Sequence, residues 1–325
     1  MKDLTVGVLQ PVDIPAWQAF VASSPNATLF HDLDFLAYHR SIDFHHLVVR
    51  GDGNLVAIVP GALLESDGKR TWRSPVGASI GGPALTRRPR LNRVMAIVDA
   101  LLTYAREQRW SSIEMTLPPS VYHPEAGDLV AFALVRHGFR EEGRWLSPML
   151  DLDRVPAAAS VEASLFERRQ LQALHGGQAA GIVACLGGFT ELKEFAPVFE
   201  ETYARLATRP THTIADLEFL MRRFPDRIHL ELARHGPRTV AGIFVMRLTE
   251  RVAVTAYICS TDDGRRAGGV VVAMSSLLNR LRRGGGRWLD LGPSATERST
   301  NAGVMLFKEG LGGVGYCRTR WACTL

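Results

Sequence analysis

Apolar and polar positions along the chain follow a plan that is made twice. In the first pass, alternation over residues 46–64 breaks at Gly51-Asp52-Gly53-Asn54, which predicts a β-hairpin. Ser74-Pro75-Val76-Gly77 follows, then a helical period closing on Arg109-Trp110 and a strand-like Ile113-Glu114-Met115. In the second pass, a hairpin pattern over 228–248 turns near His235-Gly236-Pro237. Cys259-Ser260-Thr261-Asp262 comes next, then a helical period closing on Arg287-Trp288 and a strand-like Leu289-Asp290-Leu291. Val56-Ala57 and Val240-Ala241 are 184 residues apart, and the two Arg-Trp pairs 178. That spacing predicts a duplicated domain, since solenoid repeats recur every 20 to 50 residues or so.

Within this plan, residues 93–109 place Val94, Ile97, Val98, Leu101, Leu102 and Ala105 on one face of a helix. Residues 28–42 are helix-compatible, with Phe30, Leu33, Phe35, Leu36 and His39 interleaved. Residues 129–137 predict a helix capped by Gly138, and 149–153 alternate like a strand. Helical periods recur over 191–205, 214–223 and 270–281, the second stopped by Phe224-Pro225, while 304–307 read as a strand. A hairpin, a further strand, a helix and a last strand, made twice, predict an α/β (α+β) protein of two tandem domains. Each is a mixed, largely antiparallel sheet flanked by helices. The domains are placed at 1–155 and 156–325, joined through the Ala- and Ser-rich segment 156–163.

Composition supports two cores. At 325 residues the chain exceeds the size at which one core stops growing, and 46% hydrophobic and 22% charged residues are ordinary for a globular protein. Cys185, Cys259, Cys317 and Cys323 form no CxxC pair, which argues against a disulfide framework or a structural zinc site, and no metal site is predicted. The start lacks a cationic segment leading into an apolar one, and no run of about 18 apolar residues occurs, so the sequence predicts a soluble, cytoplasmic protein without a membrane span. The net charge is +5, and arginine supplies nearly all of the positive charge beside four lysines: Lys2, Lys69, Lys193 and Lys308. A GC-rich genome explains arginine in place of lysine. Alternatively, Arg87-Arg88-Arg90-Arg93, Arg222-Arg223-Arg227 or Arg280-Arg282-Arg283 contact phosphates through guanidinium forks.

The residues carry a resemblance to the double-GNAT fold of the FemAB-like acyltransferases, and to related GNAT proteins of bacterial surface-polysaccharide and natural-product gene clusters. It rests on Phe30-His31 with Phe35-Leu36-Ala37-Tyr38-His39, the loop from Ser74-Pro75 to Gly81-Gly82-Pro83, Pro118-Pro119 with Tyr122-His123-Pro124, and His137-Gly138-Phe139. It continues through Arg209-Pro210-Thr211-His212, Phe224-Pro225 and Tyr257-Ile258, and closes on Asp290-Leu291-Gly292, Glu297, Asn301, Gly303 and Phe307-Lys308-Glu309-Gly310-Leu311-Gly312. Leu311 stands where such proteins have Phe, and the segment from Glu167-Arg168-Arg169-Gln170 to Gly176-Gly177 replaces a more basic one. The resemblance implies an amide-forming acyltransferase without a tightly bound cofactor. Its donor would be aminoacyl-tRNA or acyl-CoA, its acceptor a small-molecule or cell-envelope amine bound in the cleft between the copies. tRNA rather than DNA is the nucleic-acid partner it implies.

Acyl transfer to an amine needs a polarised carbonyl, a proton acceptor and a proton path for the leaving atom. Lys308 would neutralise developing negative charge or hold a phosphate. Asp290 or Glu297 would take the amine proton if a partly buried setting raised its pKa, although Asp290 equally suits a strand-end carboxylate bound to backbone amides. Asn301 would orient a substrate amide or cap a helix starting near Ala302. His31, Tyr38, His39, Arg73, Tyr122, His123, His212, Tyr257 and Phe307 are the expected substrate-lining residues. Arg265, Arg266, Gly268 and Gly269 match only two positions of the Arg/Gln-x-x-Gly-x-Gly/Ala loop that holds the CoA pyrophosphate in GNAT proteins. The partial match inclines the donor toward aminoacyl-tRNA, with an acyl-CoA-dependent N-acetyltransferase acting on an amino sugar or other amine as the alternative. A tRNA- or partner-binding module without catalysis is the second alternative.

Overall fold

The computed structural model describes residues 4–296 and 298–325. Along the chain come β1 (Leu4–Val8), α1 (Ile14–Ser23), α2 (Leu33–Leu36), β2 (Leu47–Gly51), β3 (Asn54–Val59), β4 (Ala62–Ser66), β5 (Lys69–Ser74), β6 (Ala84–Leu85) and α3 (Leu91–Glu107). β7 (Ser112–Leu117), α4 (Leu129–Arg136), β8 (Arg140–Asp151), α5 (Val161–Leu165), α6 (Arg168–Ala179), β9 (Ile182–Gly187), α7 (Leu192–Leu206) and α8 (Ile214–Arg223) follow. The remainder is β10 (Ile228–His235), β11 (Arg238–Arg247), β12 (Val252–Ser260), α9 (Asp262–Arg266), α10 (Gly269–Arg283), β13 (Trp288–Asp290), β14 (Ala295–Thr296), α11 (Ala302–Gly310) and β15 (Val314–Thr324).

Two units emerge, Met1–Trp145 with Cys317–Leu325, and Leu146–Tyr316. The division falls inside β8, ahead of the expected 155/156 boundary, because Met149–Asp151 already pair antiparallel with β13. The last residues belong to the first unit because Thr319–Thr324 pair antiparallel with β7.

In the first unit, β1, β2, β3 and β6 form one sheet, and β4, β5 and β7 lie side by side in another. Both predicted faces of α3 and its sheet are realised: Val94, Ile97, Val98, Leu101, Leu102 and Ala105 bury against Leu47, Val49, Trp72 and Met115. Trp72 and Trp110 stack with centroids 5.9 Å apart. Burying such aliphatic side chains contributes about 1.5–3 kcal/mol each, which dominates the stability of this layer. A smaller core of Trp17, Phe20, Val48 and Ile58 seats α1 on the opposite face. In the second unit the sheet runs β9-β10-β11-β12-β13 and on to the second half of β8. Helix α10 buries Val271, Val272, Met274, Leu277 and Leu278 on it. Three arginines in its last turn, Arg280, Arg282 and Arg283, complement the negative end of the helix dipole.

Residues 28–42 do hold a short helix, α2, which Asp32 caps by accepting from the Asp34 N–H at 2.9 Å. Several other expectations are corrected. Residues 304–307 are helix, not strand: Asn301 accepts from the Val304 N–H at 3.1 Å and opens α11. Residues 168–179 form α6, and β4–β5 is a second hairpin turning at Asp67-Gly68, both in the left-handed region. Among the described residues no helix is long and apolar enough to cross a membrane.

Candidate active site in the second unit

β12 and β13 run parallel, but their pairing covers only Val252–Val254 against Trp288–Asp290. Beyond it β12 continues on β11 to Ser260, with a bulge opposite Phe244/Val245 that leaves Ala256 outside the register. The chain cannot follow from β13: Leu291 donates its N–H to the Pro148 carbonyl at 3.0 Å, Gly292 turns at φ +76°, and Pro293 has no N–H to give. Two neighbouring parallel strands therefore diverge at Asp290, and among the described residues β12 beyond Val254 has no strand partner on that side. Such unpaired edges take up ligands by main-chain hydrogen bonds.

The mouth of this fork is polar. Asp290 is fully buried and accepts from the Gly292 N–H at 2.6 Å. Lys308, in the last turn of α11 and 6% exposed, donates from Nζ to the Gly292 carbonyl at 2.9 Å. One glycine is thus gripped from both sides by a buried carboxylate and a buried ammonium, and its positive φ explains why a glycine stands there. Charge-assisted bonds of this kind are roughly twice as strong as neutral ones. The hydroxyls of Ser147 and Ser294 are also buried here and have no hydrogen-bond partner among the described residues. Their backbones flank the fork, since the Ser294 N–H donates to the Leu146 carbonyl at 3.0 Å. An unpaired buried hydroxyl costs about 1–3 kcal/mol, which is the energy a ligand that pairs with it would recover. Sequence reasoning missed Ser147; its signal was a serine breaking the apolar alternation just before Pro148.

Of the other expected site residues in this unit, Asn301 is the helix cap, and Phe307 packs on the core of the unit. Glu297 lies outside the described residues. On the α7 side, Tyr257 of β12 accepts from the His212 N–H at 3.0 Å, while its hydroxyl lies 2.6 Å from His212 Nδ1. Burial pushes the Tyr257 phenol up to about 12, so it stays protonated and donates to Nδ1. Phe199 and Tyr203 surround the Tyr257 ring, with centroids 5.0 and 5.9 Å away. An open depression of about 590 Å³ is lined beside them by Phe199, Glu200, Tyr203, Thr208, Arg209 and Pro210.

The residues expected to hold a pyrophosphate, Arg265, Arg266, Gly268 and Gly269, lie in α9 and at the start of α10. Arg265 pairs with Asp262 at 3.6 Å and Arg266 with Asp263 at 2.6 Å, both within α9. Gly268, at φ +81°, lies so close to α6 that a methyl there would overlap the Ala173 carbonyl, whose carbon would be 3.0 Å away. Gly177 of α6 likewise lies against the Ala267 carbonyl, 2.9 Å from where its Cβ would be, and Gly269 opens α10 immediately beyond. Helix α6 therefore packs against the start of α10, where Gly268 and Gly269 are buried.

The first unit repeats the fork and fills it. β5 and β7 run parallel over Thr71–Ser74 and Ser112–Met115. Just beyond, the Gly81 N–H donates to the Thr116 carbonyl at 2.8 Å and the Gly82 N–H to Ser74 Oγ at 2.9 Å. The loop's own backbone thus occupies the gap. The expected lining residues hold such loops in place. His31 Nε2 meets the Gly82 carbonyl at 3.2 Å and its Nδ1 meets Thr28. Tyr38 donates to the Gly77 carbonyl at 3.3 Å, and His39 Nε2 meets the same oxygen at 2.8 Å. Arg73 pairs with Glu114 at 2.8 Å. Tyr122 is buried, and His123 Nδ1 lies 3.2 Å from the Ser120 carbonyl. Burial lowers both His31 and His123 to about 4, so both are neutral near pH 7. Among the described residues no group of three or more His, Cys, Asp or Glu side chains could hold a metal ion.

Solved structures that resemble this one over nearly the whole chain include the following three. FemX superposes with a TM-score of 0.72 at 14% identity, covering 98% of this chain and 97% of its own. L-PGS from Bacillus licheniformis reaches 0.61 at 13% identity, covering 96% and 91%. A tandem GNAT protein from the clavulanic acid biosynthesis pathway reaches 0.52 at 17% identity, covering 99% and 98%. No protein-family model and no curated sequence matches the chain. The fold is a double-GNAT fold of the FemX type.

Proposed function

We propose that the second unit is the active centre of an acyltransferase that forms an amide bond, moving an aminoacyl group from aminoacyl-tRNA to the amine of a small molecule or cell-envelope precursor. The observation that carries this reading is the fork between β12 and β13, with Asp290 and Lys308 clasping Gly292 at its mouth. In the step itself, the acceptor nitrogen attacks the aminoacyl ester carbonyl. The new N–C bond forms, the C–O bond to the ribose breaks, and the ribose hydroxyl leaves with the proton the nitrogen gives up. Lys308 supplies positive charge to the developing oxyanion, in a buried setting where such charge counts for more than in water. Asp290 acts as a positioning residue, since its oxygen already fixes the Gly292 turn. Ser147 and Ser294 offer hydroxyls to substrate polar atoms.

The fit of α6 over the start of α10 favours aminoacyl-tRNA over acyl-CoA, because the amides that would cradle a pyrophosphate are covered and the loop arginines are paired. The test is binding of purified protein to acetyl-CoA and to bulk charged tRNA, side by side, at about 150 mM salt, where exposed charges are partly screened. Saturable tRNA binding without CoA binding is expected. Micromolar CoA binding without tRNA binding overturns the donor and leaves an N-acetyltransferase.

A further inference from the structure

Three arginine clusters compete as polyanion contacts, and the structure separates them. In one, Arg222 pairs with Glu218 at 3.0 Å and lies over the Phe189 ring, and Arg227 donates to the Leu248 carbonyl at 2.6 Å. In another, Arg280 is paired with the buried Glu231, and Arg282 donates to the carbonyls of Ala159 and Pro156. These four guanidiniums are used inside their own unit, and of the second cluster only Arg283 is exposed. Arg87, Arg88 and Arg90 are different: all three are exposed, and none has a carboxylate partner among the described residues.

They also sit in an unusual stretch of sequence. Between Asp67 and Asp99 the chain has no Asp or Glu and carries Lys69, Arg70, Arg73, Arg87, Arg88, Arg90 and Arg93. The chain's whole net charge is +5, so everything outside this stretch is slightly acidic in sum. Codon bias toward arginine explains which base is used and not the missing acids. Arg70 and Arg73 are matched by Glu65 and Glu114, which leaves Lys69 in the β4–β5 hairpin and a concentration of unmatched charge at the loop between β6 and α3. Helix α3 adds no acidic residue in its first turn.

We infer that the loop from Thr86 to Asn92 in the first unit is a contact surface for the phosphate backbone of tRNA, an inference that rests on the aminoacyl-tRNA reading above. Guanidinium forks match phosphate oxygens bidentately. The loop contains no aromatic side chain, and Leu91, 38% exposed, is its one large exposed apolar residue, so it lacks the apolar anchors of a membrane-surface segment. Pro89 stiffens the loop and limits the entropy lost on contact.

The test is fluorescence anisotropy with uncharged bulk tRNA between 50 and 200 mM salt, roughly the range over which phosphate contacts are read from the slope. The triple variant Arg87→Ala, Arg88→Ala, Arg90→Ala should bind roughly 100-fold more weakly near 150 mM, with a log–log salt slope shallower by about 2 to 3. The matching triple lysine variant should keep the slope. Unchanged melting temperatures confirm that the variants fold. Equal affinity and slope in the wild type and alanine variant overturn the inference, as does loss of binding to phosphatidylglycerol vesicles with tRNA binding intact. Since uncharged tRNA needs no chemistry, patch-dependent binding without any aminoacyl transfer upholds the surface while the donor reading falls. Undiminished transfer by the alanine variant at low tRNA concentration does the reverse.

Discussion

Replacing Gly268 by alanine probes the contact on which the proposed choice of donor rests. The residue sits at φ +81°, where an L side chain costs about 1–2 kcal/mol. The added methyl would also overlap the Ala173 carbonyl of α6, a backbone group that cannot swing aside. Overpacking of this kind costs about 1–3 kcal/mol more. The sum is about 2–5 kcal/mol, expressed in the second unit. Urea unfolding followed by far-UV circular dichroism should show a lower midpoint for the transition of that unit, with an unchanged slope. A Gly268→Ala protein within about 0.5 kcal/mol of wild type, the range typical of a featureless surface site, would refute the reasoning. In that case α6 does not press on the start of α10, and the amides there are free to receive a pyrophosphate.

Other expectations follow from the same geometry. Tyr257→Phe removes the hydroxyl that both accepts from the His212 N–H and donates to its ring, and should cost about 1–2 kcal/mol and speed hydrogen exchange of the His212 amide about tenfold; an unaltered exchange rate would contradict it. Asn301→Ala should destabilise α11 by about 1 kcal/mol while Asn301→Asp retains the cap, read by the melting temperature of each. In the first unit, burial lowers His31, His46 and His123 from 6.5 to about 4, so the unfolded chain binds more protons than the folded one between those values. The stability these neutral rings contribute is complete above pH 6.5 and is lost as pH falls toward 4, at up to about 4 kcal/mol per pH unit for three sites acting together. The urea midpoint of the first unit should therefore drop clearly between pH 7 and pH 5, and equal midpoints would exclude the burial.

Periodic and local features were legible in the chain. The two hairpins, α3, α10 and the stop at Phe224-Pro225 follow from residues a few positions apart, and so do the duplication and the cap choice left open at Asn301. Short apolar runs were not: Val304-Met305-Leu306-Phe307 suits strand or helix, and the capping bond from Asn301 settles it. Helix α6 escaped because Gly176-Gly177 interrupt its period, yet Gly177 is there for close approach to Ala267. The fork depends on where Val254 and Asp290, distant in sequence, stop pairing, and no local pattern encodes that. The same limit explains His31, whose aromatic setting suggested a pocket while both ring nitrogens fasten loops.

The most direct test of the central claim uses hydroxylamine as a surrogate amine and individual aminoacyl-tRNAs as donors, with release of the aminoacyl hydroxamate as the readout. The account predicts that the protein accelerates release from at least one charged tRNA, and that Lys308→Met lowers the rate by about 100- to 1,000-fold while its circular dichroism stays native. No acceleration with any charged tRNA, or full activity in Lys308→Met, would contradict it.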